Sequence, residues 1–140
     1  MIQKSGSARW QGGLKDGQGT VSTQTGALSE RPYSFATRFE GQSGTNPEEL
    51  IGAAHASCFA MAMSNGLGQA GLRADSIEAT STVTLDPGKG EITRVHVDVV
   101  ASIPGIDADR FQEIAEATKA GCPVSKVLAG AEITMNARLA

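Results

Sequence analysis

Alternation of apolar and polar positions is strongest between Ser76 and Ile103. Ile77, Ala79, Ser81, Val83 and Leu85 recur at every second position, Asp86-Pro87-Gly88 carries turn residues, and Ile92 to Ile103 returns with Val95, Val97 and Val99. Period two places each set on one face of an extended chain, so this stretch predicts a β-hairpin. Upstream, Ala8-Arg9-Trp10 and Thr20-Val21-Ser22-Thr23 predict short strands, with turns at Gly12-Gly13 and Asp16-Gly17. After Pro32, Tyr33, Phe35, Thr37 and Phe39 alternate with Ser34, Ala36 and Arg38. That pattern predicts another strand, with Arg38 pointing away from its aromatic face.

The pattern then changes to a helical one. Thr45 and Asn46 are N-cap residue types, Pro47 suits the first helical position, and Glu48 and Glu49 complement the positive end of a helix dipole. Leu50 to Leu72 contains no formally charged residue, yet includes His55, Ser57, Ser64, Asn65, Gln69 and four glycines. That polar content argues against a membrane span and for a helix buried on most sides, whose small residues let other elements approach closely. Such a helix is expected to fray or bend by Gly66 to Gly71. Beyond the hairpin, Asp107 can cap a helix carrying Phe111, Ile114, Ala115 and Thr118 on one stripe and ending at Gly121. Cys122-Pro123 opens a short helix through Leu128, and Glu132 to Leu139 forms a last strand. The element order is that of an α+β fold.

Length and composition narrow the picture. A chain of 140 residues with 40% hydrophobic and 19% charged residues fits one domain, residues 1–140, with a core of its own. Seventeen glycines without a collagen-like period point to turns and close backbone contacts. A net charge of −3 lacks the basic footprint of a nucleic-acid binder. The opening residues have no apolar run behind Lys4, so no secretory signal is visible and a cytoplasmic location is expected. Structural disulfides are uncommon there, which turns attention to the chemistry of the two cysteines, Cys58 and Cys122.

Cys58 falls in the middle of the uncharged helix, where burial raises a thiol's pKa and leaves it inert unless a cation reaches it. His55 lies three positions earlier and about 60° around the helix, so it can share a face with Cys58. Glu48 points more nearly toward Cys58 than Glu49 does, but about 15 Å of helical rise separates them, so an arginine bonding both would be needed to connect them. Cys122, between Gly121 and Pro123, lies near a helix N-terminus, where N–H groups favour a thiolate. Local sequence therefore ranks Cys122 as the more acidic thiol. Two further readings stay open: both cysteines are core residues, or they form a static disulfide. His55 reads either as a hydrogen-bonded core histidine or as an acid–base group, and His96 as a surface or sheet residue. Metal-ligand spacings such as C-x-x-C and H-x-x-x-H are absent, as are nucleotide-binding and serine-hydrolase motifs.

The runs Thr37-Arg38-Phe39-Glu40-Gly41, Gly44 through Phe59 (GTNPEELIGAAHASCF) and Ala120-Gly121-Cys122-Pro123-Val124-Ser125 resemble the osmotically inducible protein C branch of the OsmC/Ohr hydroperoxide-reductase family. The resemblance extends from Ala8-Arg9-Trp10 to the final strand. It implies an intertwined homodimer, with antiparallel sheets wrapped around long central helices and two active sites at the subunit interface. It also implies thiol-dependent reduction of hydroperoxides without haem, flavin or metal, and regeneration by an external dithiol of lipoyl or thioredoxin type. By motif, Cys58 is then the peroxidatic thiolate, Cys122 the resolving cysteine, Arg38 the cation holding the thiolate, and Glu48 the carboxylate orienting Arg38. These roles reverse the local ranking of the two thiols, since a charged partner can outweigh a helix dipole. Ala54, Phe59, Met61 and Met63 are expected either to line an apolar peroxide pocket or to pack the core. The competing functional class is a non-catalytic dimeric binding protein that takes a small apolar ligand in its interface cleft.

Overall fold

The computed structural model describes residues 1–140, which divide into two compact units, Met1–Leu50 and Ile51–Ala140. The first unit holds an antiparallel sheet of β1 (Gly6–Gln11), β2 (Gln18–Thr23) and β3 (Arg31–Tyr33), in that order. The rings of Trp10 and Tyr33 sit 5.4 Å apart on this sheet. A Cβ at Gly19 would come within 2.6 Å of Tyr33 and 2.7 Å of Trp10, so only glycine fits between them.

The strand expected over Tyr33–Phe39 is only partly extended. It ends at Tyr33, and residues Phe35–Phe39 form a short helix, α1. Ser34 starts it with a capping box: Thr37 N–H donates to Ser34 Oγ at 3.3 Å, and Ser34 N–H donates to Thr37 Oγ1 at 2.8 Å. Phe35 and Phe39 are four apart, so the spacing that mimics a strand also stacks them along a helix, at 4.9 Å between ring centroids. Arg38 consequently lies over the Phe39 ring, at 5.2 Å, rather than away from the aromatic residues.

The long helix α2 runs Pro47–Gln69. Asn46 supplies its cap, accepting from Glu49 N–H at 2.8 Å, and Pro47 costs nothing at a position whose N–H has no helical partner. Gly52, His55, Phe59, Met63 and Leu67 form its buried stripe at steps of three and four. The second unit's sheet contains β4 (Ser76–Asp86), β5 (Glu91–Ser102) and β6 (Glu132–Leu139), in that order. The hairpin β4–β5 is antiparallel as expected, whereas β6 joins β5 in parallel. Parallel pairing needs a long crossover, and the helices α3 (Ala108–Gly121) and α4 (Pro123–Val127) provide it. Asp107 caps α3 by accepting from Arg110 N–H at 2.8 Å.

The core of this unit joins Phe59, Met63 and Leu67 of α2 to Val97, Val99 and Ala101 of β5 and to Phe111, Ile114 and Ala115 of α3, with Cys122 among them. Each large apolar side chain removed from water here contributes about 1.5–3 kcal/mol. Close approach of helix and sheet depends on Gly52, where a Cβ would stand 2.7 Å from the Ser81 carbonyl oxygen. No helix is long and apolar enough to cross a membrane.

Candidate active site

The two cysteines, 64 positions apart in sequence, meet in the second unit. Cys122 Sγ and Cys58 Sγ lie 3.0 Å apart, and both are free thiols. Their contact follows from the elements that carry them. Phe59 and Met63 fasten α2 into the core beside Cys58, while Phe111, Ile114, Ala115 and Thr118 dock α3 so that the chain turns at Cys122 into α4. Cys58 is half-buried and Cys122 is fully buried. Closing the 3.0 Å gap to a covalent S–S distance of about 2.05 Å takes a shift of roughly 1 Å.

Their electrostatics differ. Burial pushes the Cys58 thiol up, and sharing its proton with Cys122 pushes it further, against a smaller opposing effect of the Val124 backbone. Burial also pushes Cys122 up, but contacts from the Cys58 thiol, the Ser125 backbone and hydroxyl and the Val124 backbone outweigh it and leave Cys122 below the ordinary thiol value. None of these contacts closes a side-chain cap on α4. The two shifts run in opposite directions and belong to one interacting pair. Because the sulfurs interact so closely, the pair titrates as a unit.

His55 stands one turn from Cys58 and is completely buried. Its Nδ1 lies 2.9 Å from Ser81 Oγ on β4 and its Nε2 2.8 Å from Ser125 Oγ on α4. Burial lowers its pKa, so it is neutral at neutral pH. Of the two readings left open for His55, the hydrogen-bonded core histidine describes its surroundings. Ser81 and Ser125 were not singled out as site residues. The available signal was Ser81 itself, a hydroxyl on the apolar face Ile77-Ala79-Ser81-Val83-Leu85, since a buried polar group needs a partner.

Arg38 and Glu48 meet in the first unit. Arg38 Nη2 donates to Glu48 Oε1 at 2.8 Å, and Nε donates to Oε1 at 3.1 Å and to Oε2 at 3.3 Å. The Arg38 side chain stays 37% exposed and that of Glu48 12%, so the guanidinium is held in one orientation while keeping an open side. Glu48 is placed by the first turn of α2, and Arg38 by the last turn of α1. Of the four residues expected to form the pocket or core, Phe59 and Met63 are core, Met61 is 77% exposed, and Ala54 is exposed. No group of three or more His, Cys, Asp or Glu gathers where it could hold a metal ion.

A paired-thiol site on a mixed α+β fold, with a long helix uncharged beyond its first turn, defines a class, and the comparisons agree with it. The family model described as OsmC-like protein matches residues 40–137, and the chain belongs to that family. It is 53% identical over 140 residues to the Peroxiredoxin OsmC of Escherichia coli (strain K12), covering 99% of this chain and 97% of the relative. The Organic hydroperoxide resistance protein OhrB of Bacillus subtilis (strain 168) is 30% identical over 113 residues, covering 80% of this chain and 82% of that protein. The crystal structure of the Bacillus subtilis OhrB matches with a TM-score of 0.67 at 25% identity, over 96% of this chain and 98% of that one.

Proposed function

We propose that this chain is a thiol-dependent peroxidase that reduces organic hydroperoxides, and hydrogen peroxide more weakly, in defence against oxidative or osmotic stress. One observation carries the reading: two free thiols held 3.0 Å apart, one half-buried and the other enclosed behind it. A static core pair has no need of such a contact, whereas a two-cysteine redox cycle does. The printed names of the relatives, a peroxiredoxin and a hydroperoxide resistance protein, support the same chemistry.

In this reading residues 1–140 act as a single OsmC-like domain, and the Cys58 thiolate attacks the terminal oxygen of the hydroperoxide. An S–O bond forms, the O–O bond breaks, and the alkoxide leaves and takes a proton to become the alcohol. Arg38 is assigned to hold the thiolate and the developing charge, and Glu48 to orient Arg38 through the bidentate pair described above. Cys122 then attacks the Cys58 sulfenic acid, giving the disulfide and water and preventing irreversible over-oxidation. A dithiol reductant of lipoyl or thioredoxin type regenerates both thiols by exchange. No resident cofactor is assigned. A reducing cytoplasm fits thiols that stay free between turnovers.

The outward face of α2 supports a homodimer. Ala53, Ala54, Ser57, Met61, Ser64 and Asn65 are exposed there without one formal charge, and Met61 alone is 77% exposed. The decisive experiment follows cumene hydroperoxide and hydrogen peroxide consumption with dihydrolipoamide, then with a thioredoxin system. Cys58→Ser should abolish turnover, and Cys122→Ser should allow one round only. Full activity in Cys58→Ser would refute the role given to Cys58, and a wild-type protein that consumes no peroxide would favour the binding-protein reading instead.

A further inference from the structure

We propose that His55 is a positioning residue for disulfide closure: bonded to Ser81 of β4 and to Ser125 of α4, it holds the turn of chain that carries Cys122 against the turn of α2 that carries Cys58. This rests on the peroxidase reading and supplies the framework of its second half-reaction.

Two side-chain contacts join α2 to the turn from Cys122 to Ser125, and their register matches. His55 Nε2 lies 2.8 Å from Ser125 Oγ, and Cys58 Sγ lies 3.0 Å from Cys122 Sγ. Cys58 follows His55 by three positions, while Cys122 precedes Ser125 by three. The contacts are therefore successive rungs about one helical turn apart, read in opposite directions along the two segments. The His55 rung is the more constrained. His55 is completely buried, Ser125 is 3% exposed, and the other ring nitrogen, Nδ1, is braced at 2.9 Å by Ser81 Oγ. Both contacts can form with the ring proton on either nitrogen, because a hydroxyl donates as well as accepts. The backbone carries this constraint to the thiol. Lys126 N–H donates to the Cys122 carbonyl oxygen at 3.1 Å, closing the turn that holds Ser125, and Cys122 N–H donates to the Thr118 carbonyl oxygen at 2.9 Å.

The consequence falls on the resolving step. Cys122 as thiolate attacks the sulfur of Cys58–S–OH, the S–S bond forms and the S–O bond breaks. The departing hydroxide takes up the proton that Cys122 released, so the products are disulfide and water. Two groups held face to face react as though at very high concentration, and much of that advantage comes from orientation fixed before the reaction. Without the His55 rung, Cys122 keeps its apolar packing and its bond to Thr118, but the turn beyond it loses its tie to α2 and β4. The first half-reaction needs only Cys58 to meet the peroxide, so it depends less on that tie. A role in core stability alone would not separate the two steps.

Two measurements on the full chain test this, in conditions where circular dichroism shows each variant folded. The first is the equilibrium of the Cys58–Cys122 disulfide with reduced and oxidised dithiothreitol, which needs no peroxide. Ser125→Ala should lower the equilibrium constant for closure about tenfold, the size expected when one buried hydrogen bond is lost. Ser81→Ala, which leaves Ser125 and both sulfurs unchanged, should lower it in the same direction and by less. The second measurement follows a single turnover with cumene hydroperoxide. In Ser125→Ala the lifetime of dimedone-reactive sulfenic acid should lengthen about tenfold relative to the rate of first peroxide loss. An unchanged dithiothreitol equilibrium in folded Ser125→Ala overturns the proposal, as does equal slowing of the two steps. If that variant does not fold, an unchanged equilibrium in Ser81→Ala overturns it instead. A wild-type protein that consumes no peroxide would end the peroxidase reading while the dithiothreitol equilibrium still reports the tie, so the two failures are distinguishable.

Discussion

Replacing Gly52 by alanine sets two effects of known sign against each other. Alanine is favoured over glycine inside a helix by about 0.8–1.0 kcal/mol. At position 52, however, the new Cβ would stand 2.7 Å from the Ser81 carbonyl oxygen, a backbone atom of β4 that cannot swing aside as a side-chain tip would. Reaching ordinary contact needs a retreat of roughly 0.7 Å by strand or helix, and overpacking of this kind costs about 1–3 kcal/mol. The net expectation is a loss of about 1 kcal/mol. With a urea dependence of about 1–3 kcal/mol per molar for a domain of this size, the unfolding midpoint should fall by about half a molar. Gly66→Ala is the internal control. It makes the same change in the same helix, but its Cβ would meet Ile114 Cγ2 at 3.5 Å, an ordinary contact, so this variant should be more stable than wild type. A Gly52→Ala midpoint at or above that of wild type, or movement of the two variants in the same direction, would refute the view that Gly52 sets the distance between α2 and the sheet.

Two other outcomes are expected. Glu48→Gln keeps the shape of the carboxylate but weakens its hold on Arg38, so kcat/KM for cumene hydroperoxide should fall about tenfold or more while stability changes by less than about 1 kcal/mol, as for other partly exposed ion pairs. Equal activity in the variant would separate that pair from the reaction. For His55, unfolded histidine takes up a proton near pH 6.5 while burial lowers the folded value, so its contribution to stability is complete above 6.5 and declines as pH falls toward the folded pKa, by up to about 1.4 kcal/mol per unit. Urea unfolding at about pH 7.5 and about pH 5.5 should show a larger acid loss in wild type than in His55→Gln, and equal losses would contradict the assignment.

Periodicity was most informative where a single face is buried. The alternation of Val95, Val97 and Val99 and the caps at Asn46 and Asp107 have local physical causes and appear where the chain pattern puts them, whereas the long helix, expected to be buried on most sides, buries one stripe through His55, Phe59 and Met63. Residues Phe35–Phe39 misled because positions four apart satisfy both a period of two and a helical turn. There the decision belongs to Ser34 and Thr37, whose reciprocal bonds start a helix although Thr replaces the usual Glu or Gln. The parallel pairing of β6 also escaped local reading, since strand direction is set by the crossover through α3 and α4. The motifs pointed to two pairs, and the structure shows each within its own unit: Arg38 with Glu48, and Cys58 with Cys122. The serines around His55 could be found only by asking what a hydroxyl on an apolar face bonds to.

The two thiols show why local ranking and assigned role diverge. At 3.0 Å the sulfurs share one proton, and removing a second is opposed by the charge left by the first. The location of the first charge is then decided by modest differences in donors. Here these favour Cys122, which faces Ser125 and Val124, over Cys58, which is raised by burial. A peroxidatic role for Cys58 requires that balance to invert, and one guanidinium at hydrogen-bond distance suffices, since an opposite charge within about 4–6 Å lowers a pKa by about 1–3 units. After oxygen transfer Cys58 carries no negative charge, and the same Ser125 and Val124 contacts then act on the only remaining thiol. The local preference for a Cys122 thiolate, which opposes the first step, favours the second.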